Sequence, residues 1–422
     1  MNILLISNTY APHVGGVARS VGAFRDAYIA AGHRVLVVAP EFPDKPQAET
    51  GVVRIPALQN FNASDFSVAL PVPSGLHATV DAFSPDVIHS QHPFLLGMTA
   101  VRLARILGVP LVFTHHTLYE AYTHYVPGSA EALRGFVIEL ATCYANLADL
   151  VIAPSESIRE TLLERGVHSP LTVVPTGVDL ERFGGGDGAA LRRALGLSRD
   201  DFVVGHMGRL AQEKNIAFLA ESVAAFVAGG DRRYFLVVGD GDAEGDLEAA
   251  FASRGLSSRL LRTGTLEGRA LVDALAAMDL FAFASHSETQ GMVLTEAMAA
   301  GLPVLALDAS GVREVVADGD NGRLLPADAA APEFHAALEE LAGLDANARQ
   351  HLVAGALRTA RGFSMPRCAQ KALACYRELQ RRSDARQKAG EARWHQLRAR
   401  IGAEWDILRS INAAGGEAIS RL

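Results

Sequence analysis

Short runs of aliphatic and β-branched residues recur along this chain at intervals that leave room for a helix between them, and no other feature constrains the fold as much. The runs at 3–7, 34–39, 86–89, 111–114, 150–153 and 171–174 have the length and apolar content of strands buried on both faces. Helical spacing appears between several of them, at 17–31 and 97–107. A second series follows at 202–207, 234–238, 260–263, 280–284 and 303–307. Strand and helix in alternation build a parallel sheet covered by helices on both sides, because a parallel strand is reached only through a crossover. Two such series predict an α/β chain of two Rossmann-like halves. In sheets of this kind ligands meet the residues just beyond the carboxyl ends of the strands, so those positions are the ones to read for chemistry.

A length of 422 residues, 49% of them hydrophobic, exceeds what one core normally serves and supplies enough apolar side chains for two. The cluster Gly184-Gly185-Gly186-Asp187-Gly188 reads as a flexible joint between an N-terminal domain, 1–182, and a C-terminal domain, 189–360. A helix at 361–380, set off by Arg361-Gly362-Phe363-Ser364, is expected to cross back to the first domain. Beyond it, 381–422 reads as an amphipathic helical tail with Trp394, Leu397, Ile401, Trp405 and Leu408 on one face and Arg393, Arg398, Arg400 and Arg409 among its polar positions. Such a helix suits either peripheral contact with a bilayer or self-association.

The formal net charge of −8 lacks the basic bias that phosphate-backbone binding needs, which argues against a nucleic-acid partner. No apolar run approaches the ~18 to 20 residues of a spanning helix, and the chain opens on a strand with no basic leader. A cytoplasmic location is therefore expected, with a peripheral place on the inner face of a membrane as its variant. Cys143, Cys368 and Cys375 lack the close paired spacing of zinc ligands and read as reduced thiols.

The most informative stretch runs from Ser285 to Val304. It sets Glu288 in a loop after a strand and Glu296 eight residues on, about two turns into the helix that Gly291 opens. The main-chain N–H groups of Gly291, Met292, Val293 and Leu294 would point out of that helix N-terminus and suit a diphosphate. Directly after the strand 202–207 come Arg209 and Lys214, five residues apart. One offers a forked guanidinium and the other a point charge, and both can converge on one anion. Gly15 and Gly16 follow the first strand and allow a ligand to come close to the backbone. After the strand 111–114 stands a run with His115, His116, Tyr119, Tyr122, His124 and Tyr125. Single histidines there read as structural, His116 excepted; the tyrosines frame either ordinary loop packing or an acceptor. No His-x-x-x-His spacing or carboxylate cluster supports a metal site.

Together these residues resemble glycosyltransferase family 4 from residue 1 to about 380. The Gly15-Gly16 loop, His116, Pro175-Thr176-Gly177-Val178-Asp179, the Arg209 and Lys214 pair, and Glu288 with Glu296 carry the resemblance; Thr176 stands where the family usually has Asn. It implies a GT-B fold, two Rossmann-like domains facing across a cleft, and retaining transfer of a hexose from a UDP- or GDP-linked donor to an acceptor hydroxyl. It further implies that Arg209 and Lys214 contact the donor diphosphate, Glu296 the ribose, and Glu288 with the amides after Gly291 the transferred sugar. His116 would lie against that sugar from the N-terminal side, which makes His116, Glu288, Arg209 and Lys214 the catalytic candidates. No cofactor is required, and a magnesium ion, where one takes part, would not be held by the protein. The stretch from His116 to Tyr125 is similar to that of enzymes that glucosylate diacylglycerol, so a membrane lipid is one acceptor, a soluble sugar or polysaccharide the other. Against lipid docking through the first domain, residues 1–178 hold ten Lys and Arg against fourteen Asp and Glu.

Two rivals stand beside this reading. Val237 to Gly245 contains a Gly-x-Gly after a strand, as in NAD(P)-dependent oxidoreductases, but Asp240, Asp242 and Glu244 would repel a pyrophosphate. A non-catalytic protein that binds sugar nucleotides would share the donor residues and bind without transfer.

Overall fold

The computed structural model describes residues 1–13, 15–42, 49–58, 68–69, 74–118, 130–286 and 288–388. The chain forms two compact units, one built from Met1–Gly177 with the helix that begins at Met365, the other from Val178–Ser364. The expected tail lies mostly outside the described residues, Trp394 and Trp405 included. Among the described residues no helix is long and apolar enough to cross a membrane.

The main sheet of the first unit has seven strands: β1 Asn2–Ile6, β2 Arg34–Pro40, β3 Val52–Ile55, β4 Val87–Ser90, β5 Leu111–Thr114, β6 Leu150–Ala153 and β7 Leu171–Val173. They run in the order β3-β2-β1-β4-β5-β6-β7, each pair parallel. Ile3 pairs with Val35 on one side and Val87 on the other, so the order reverses at β1. Alternate residues face opposite cores. Ile3, Leu5, Val35 and Val37 join the cluster under the helices Gly16–Ala30 and Met365–Lys388, while Leu4, Ile6, Val38 and Ile88 join the one with Leu96, Ala100 and Leu103. Burial on both sides explains why these strands read as unbroken apolar runs. The helix Met365–Lys388 docks through Met365, Ala369, Ala372, Leu373, Tyr376 and Leu379, a 3-4 spacing that makes one stripe.

The second unit repeats the plan with β8 Phe202–Met207, β9 Arg233–Val238, β10 Leu260–Arg262, β11 Leu280–Phe283, β12 Val304–Leu307 and β13 Gly322–Leu325. Their order is β10-β9-β8-β11-β12-β13, again parallel and again reversing at its first strand. In both units the reversal sends crossover helices to opposite faces, which opens a crevice at the carboxyl edge.

The glycine cluster expected to be a joint is packed instead. A Cβ on Gly188 would sit 2.0 Å from the Ala276 carbonyl oxygen, and one on Gly186 would sit 2.5 Å from the Ala276 Cβ. Asp187 between them caps the helix Gly188–Ala194 by accepting from the Ala190 N–H at 3.0 Å. The glycines are there because helices 188–194 and 268–276 touch backbone to backbone, and the division between the units falls earlier, at Gly177.

Gly188→Ala is expected to cost about 1–3 kcal/mol through overpacking against that carbonyl. Gly245, exposed in the helix Glu244–Ala252 with nothing within 4 Å of its would-be Cβ, gives the opposite sign. Gly245→Ala should be neutral or stabilise by up to ~1 kcal/mol. Chemical denaturation of the two variants measures both, and equal effects would refute the packing account.

Candidate active site

At the carboxyl edge of the second sheet the loop after β8 is locked by glycines. Gly208 has φ +152, and a Cβ on Gly239, itself at φ +128, would lie 2.0 Å from the Gly208 carbonyl oxygen. One on Gly241 would lie 2.2 Å from that of Leu210. Leu210 N–H donates to the Asp240 carbonyl at 3.0 Å, and Ala243 N–H to that of Leu210 at 2.9 Å. The Gly-x-Gly that suggested a dinucleotide site is thus explained by two loops in contact. Its consequence is a rigid seat for Arg209.

Arg209 then precedes a single turn of 3-10 helix, Gln212–Lys214, which ends at Asn215 in the left-handed region with φ +56. The Glu213 carbonyl oxygen accepts from the Ser285 hydroxyl at 3.2 Å and from the His286 N–H at 3.4 Å. Those two bonds tie the loop after β8 to the loop after β11, strands that are neighbours at the reversal. Each cation holds a carboxylate: Arg209 pairs with Glu213, and Lys214 with Glu288, 74 residues away. The Lys214 and Glu288 side chains are 18% and 15% exposed, whereas Arg209 is 50% exposed. Lys214 and Glu288 are therefore largely withdrawn from water as a neutral couple, whereas half of the Arg209 side chain faces solvent.

Gly291 carries φ +68 and caps the helix Met292–Ala299. Its would-be Cβ meets Leu294 Cδ1 at 2.9 Å and the Gly311 carbonyl oxygen at 3.3 Å, so both conformation and space require glycine. The Leu294 N–H, expected to serve a ligand, donates to the Gly291 carbonyl at 2.9 Å. The outward amides of the first turn are those of Met292 and Val293. Glu296 lies deeper, 4% exposed.

On the first unit the ends of β4 and β5 carry neutral groups, while Arg54 pairs with Glu49 and donates to the Pro40 carbonyl at the end of β2 and the Ala11 carbonyl beyond β1. Gln91 and His92 follow β4, and His115 and His116 follow β5, its neighbour. His116 is part-buried, with Nε2 2.7 Å from Gln91 Oε1. Loss of solvent lowers its pKa to about 4. His89, His92 and His115 are fully enclosed, and burial brings each to about 3. His92 Nδ1 accepts from the Asn8 N–H at 3.1 Å, and the Asn8 side chain donates to the Phe94 carbonyl and accepts from the Leu96 N–H. Asn8 so fastens the loop after β1 to the loop after β4. Gly15 is extended, and nothing lies within 4 Å of a Cβ on Gly16, so the helix start at Gly16–Ala30 has an open approach. Tyr119, Tyr122 and Tyr125 lie outside the described residues. Sequence reading missed Gln91, Glu213 and Asn8; each sits one to six residues beyond a strand's end, the only signal that could have marked it.

Comparison with known proteins gives this arrangement relatives. Residues 14–182 match the family model described as Glycosyltransferase Family 4, and residues 201–343 match Glycosyl transferases group 1. The chain is 30% identical over 312 residues to an alpha-monoglucosyldiacylglycerol synthase of Streptococcus pneumoniae, covering 72% of this chain and 71% of the relative. It is 30% identical over 390 residues to a GDP-mannose-dependent alpha-mannosyltransferase of Mycobacterium tuberculosis, covering 90% and 98%. Among solved structures, the sucrose-phosphate synthase of Thermosynechococcus elongatus superposes with a TM-score of 0.71 at 22% identity, covering 90% of this chain and 98% of that one. The likeness carries the expected GT-B fold class.

Two tests follow from the geometry alone. Gly291→Ala should destabilise by about 1–2 kcal/mol, since a Cβ in the left-handed region meets its own backbone as well as Leu294. The histidines fix a pH dependence. His89, His92, His115, His116 and His206 have native pKa values of about 3 to 4, against about 6.5 unfolded. The unfolded chain thus binds more protons between those limits, so stability is full above pH 6.5 and is lost as pH falls toward 4. Thermal unfolding should show a midpoint lower at pH 5 than at pH 7; an equal midpoint would contradict the burial of these rings.

Proposed function

The chain belongs to glycosyltransferase family 4, a hexosyltransferase by that membership, and we propose that it carries a hexose from a UDP- or GDP-linked donor to a lipid hydroxyl, with the α configuration kept. The observation that carries the site assignment is the gathering of Arg209, Lys214, Glu213 and Glu288 where β8 and β11 part. A sugar nucleotide presents two chemistries in a row, a diphosphate and a polyhydroxyl ring, and this edge offers cations beside carboxylates in the same arrangement. Arg209 and Lys214 take the diphosphate, joined by the amides of Met292 and Val293 at the helix N-terminus. Glu288 accepts from hydroxyls of the sugar and Glu296 from the ribose. His116 meets the transferred hexose from the first unit.

In the reaction the acceptor hydroxyl attacks the anomeric carbon on the face that the nucleotide leaves. The bond from that carbon to the phosphate oxygen breaks, the new carbon–oxygen bond forms, and the departing phosphate takes the acceptor's proton. Negative charge grows on the diphosphate as this happens. Arg209 and Lys214, already held in place by the loops described above, stabilise it without having to reorganise. Retention then needs no nucleophile from the protein.

A lipid acceptor is supported by the likeness to the glucosyldiacylglycerol synthase, by the similarity of residues 116 to 125 to such enzymes and by the amphipathic spacing of 381–422. Tyr119, Tyr122 and Tyr125 are the side chains assigned to it. A soluble acceptor is the second reading, favoured by the acidic balance of residues 1–178.

Arg209→Ala and Lys214→Ala should each lower kcat/KM by about 10²–10³, or ~3–4 kcal/mol in the barrier, with little change in unfolding. UDP-glucose, UDP-galactose, UDP-N-acetylglucosamine and GDP-mannose, each offered with diacylglycerol micelles or with soluble sugars, identify the pair by mass spectrometry of the product. Turnover unchanged in both variants would remove the donor assignment, and donor binding with neither transfer nor hydrolysis would make the protein a binder.

A further inference from the structure

Gln91 is the first residue after β4, its N–H bonded to the Ile6 carbonyl at 2.9 Å and its side chain enclosed, the residue being 4% exposed. The side-chain amide has a partner at each end. One end lies 3.5 Å from the His89 carbonyl oxygen, the other 2.7 Å from His116 Nε2. A backbone carbonyl only accepts, so the end that faces His89 is the NH₂ and the end that faces His116 is the oxygen. An amide oxygen also only accepts. The hydrogen in the short bond therefore belongs to His116 Nε2, which donates it.

A neutral imidazole carries a single N–H. The His116 ring is neutral around pH 7, because burial brings its pKa to about 4. Burial is the one cause of that shift, and His89, His92 and His115 beside it are neutral as well. With the proton on Nε2, Nδ1 is a bare lone pair.

We propose that Gln91 is a positioning residue for the transfer: it fixes His116 as the Nε2–H tautomer, so that Nδ1 offers a hydrogen-bond acceptor to a donating hydroxyl of the transferred hexose. The inference rests on the reading that His116 meets that sugar. It adds a chain of cause that begins in the backbone. The strand β4 places the His89 carbonyl, the carbonyl orients the Gln91 amide, the amide chooses the tautomer, and the tautomer determines which sugar groups are accepted. A fluorine in place of the contacted hydroxyl cannot donate and loses the contact. A protonated ring loses it too, since Nδ1 then becomes a donor.

Three variants test this. In Gln91→Glu the carboxylate still accepts from Nε2, but its charge raises the His116 pKa, typically by about 1–3 units. That variant should keep close to wild-type kcat at pH 8 and fall away as pH drops toward 6, where the wild-type profile stays flat. Gln91→Met, which leaves the tautomer unspecified, should lose about tenfold in kcat at every pH with KM for the donor little changed. On a His116→Ala background the same Gln91→Met change should do nothing further. Nitrogen NMR of the wild-type imidazole should show Nε2 protonated. If His116→Ala itself leaves transfer unchanged, the reading of His116 fails. If His116→Ala slows transfer while Gln91→Glu and Gln91→Met keep the wild-type rate and pH profile, or the spectrum shows the proton on Nδ1, the role of Gln91 is overturned and the reading of His116 stands.

Discussion

A parallel strand can be rejoined to its sheet only by a crossover, and that single constraint places every carboxyl end of a sheet on one edge. Both units obey it, with their orders β3-β2-β1-β4-β5-β6-β7 and β10-β9-β8-β11-β12-β13 reversing at the first strand. Neighbouring strands on either side of a reversal can be far apart in the chain. Lys214 and Glu288, after β8 and β11, are 74 residues apart, and Gln91 and His116, after the consecutive strands β4 and β5, are 25 apart, yet each pair is in hydrogen-bonding contact. The backbone ladder, not a local motif, brings the chemistry together.

The loops after β8 and β11 and those after β4 and β5 manage charge differently. The second unit keeps ionised groups and pairs them, Arg209 with Glu213 and Lys214 with Glu288, which lowers the cost of withdrawing charge from water. The first unit keeps one such pair, Arg54 with Glu49, but removes charge at the ends of β4 and β5. Four histidines stand at the ends of β4 and β5, each held neutral by burial, and their hydrogen bonds run to Thr114, Tyr376, Asn8 and Gln91. An edge of neutral donors and acceptors suits hydroxyl groups; an edge of paired ions suits phosphate.

How much of this was legible in the sequence follows from which interactions are local. The strands read correctly where burial on both faces made them continuous, as at 3–7 and 202–207. β3 and β13 were missed because both lie at sheet edges and are only partly apolar, Val52–Ile55 and Gly322–Leu325. Arg209, Lys214, Glu288 and Gly291 could be singled out because each directly follows a recognisable strand or opens a helix. Glu213 and Gln91 could not, since a glutamate in a polar loop or a glutamine after a strand has no pattern; their roles come from partners elsewhere in the chain. The glycines of 184–188 misled for the same reason. Glycine marks both a flexible joint and a close backbone contact, and only the Ala276 carbonyl across from Gly188 tells them apart.

The helix Met365–Lys388 carries this logic to the opposite end of the molecule's sequence. Tyr376 reaches under the first sheet and its hydroxyl meets His89 Nδ1 at 2.6 Å and the Tyr28 hydroxyl at 2.9 Å, while His89 Nε2 meets the Thr114 hydroxyl at 2.7 Å. All of these groups are buried, burial raises both tyrosine pKa values, and the His89 ring stays neutral, so the chain of bonds carries no net charge. Each member satisfies a polar group that would otherwise be costly to enclose. Thr114 ends β5, two residues before His116, and His89 is the residue whose carbonyl faces the Gln91 amide. The floor beneath the first edge is therefore assembled from residues 28, 89, 114 and 376, and it is complete only after the chain has built the second unit and returned. The helix that begins at Met365 thus supports the ends of β4 and β5, so the order of that edge depends on chain that lies beyond the second unit.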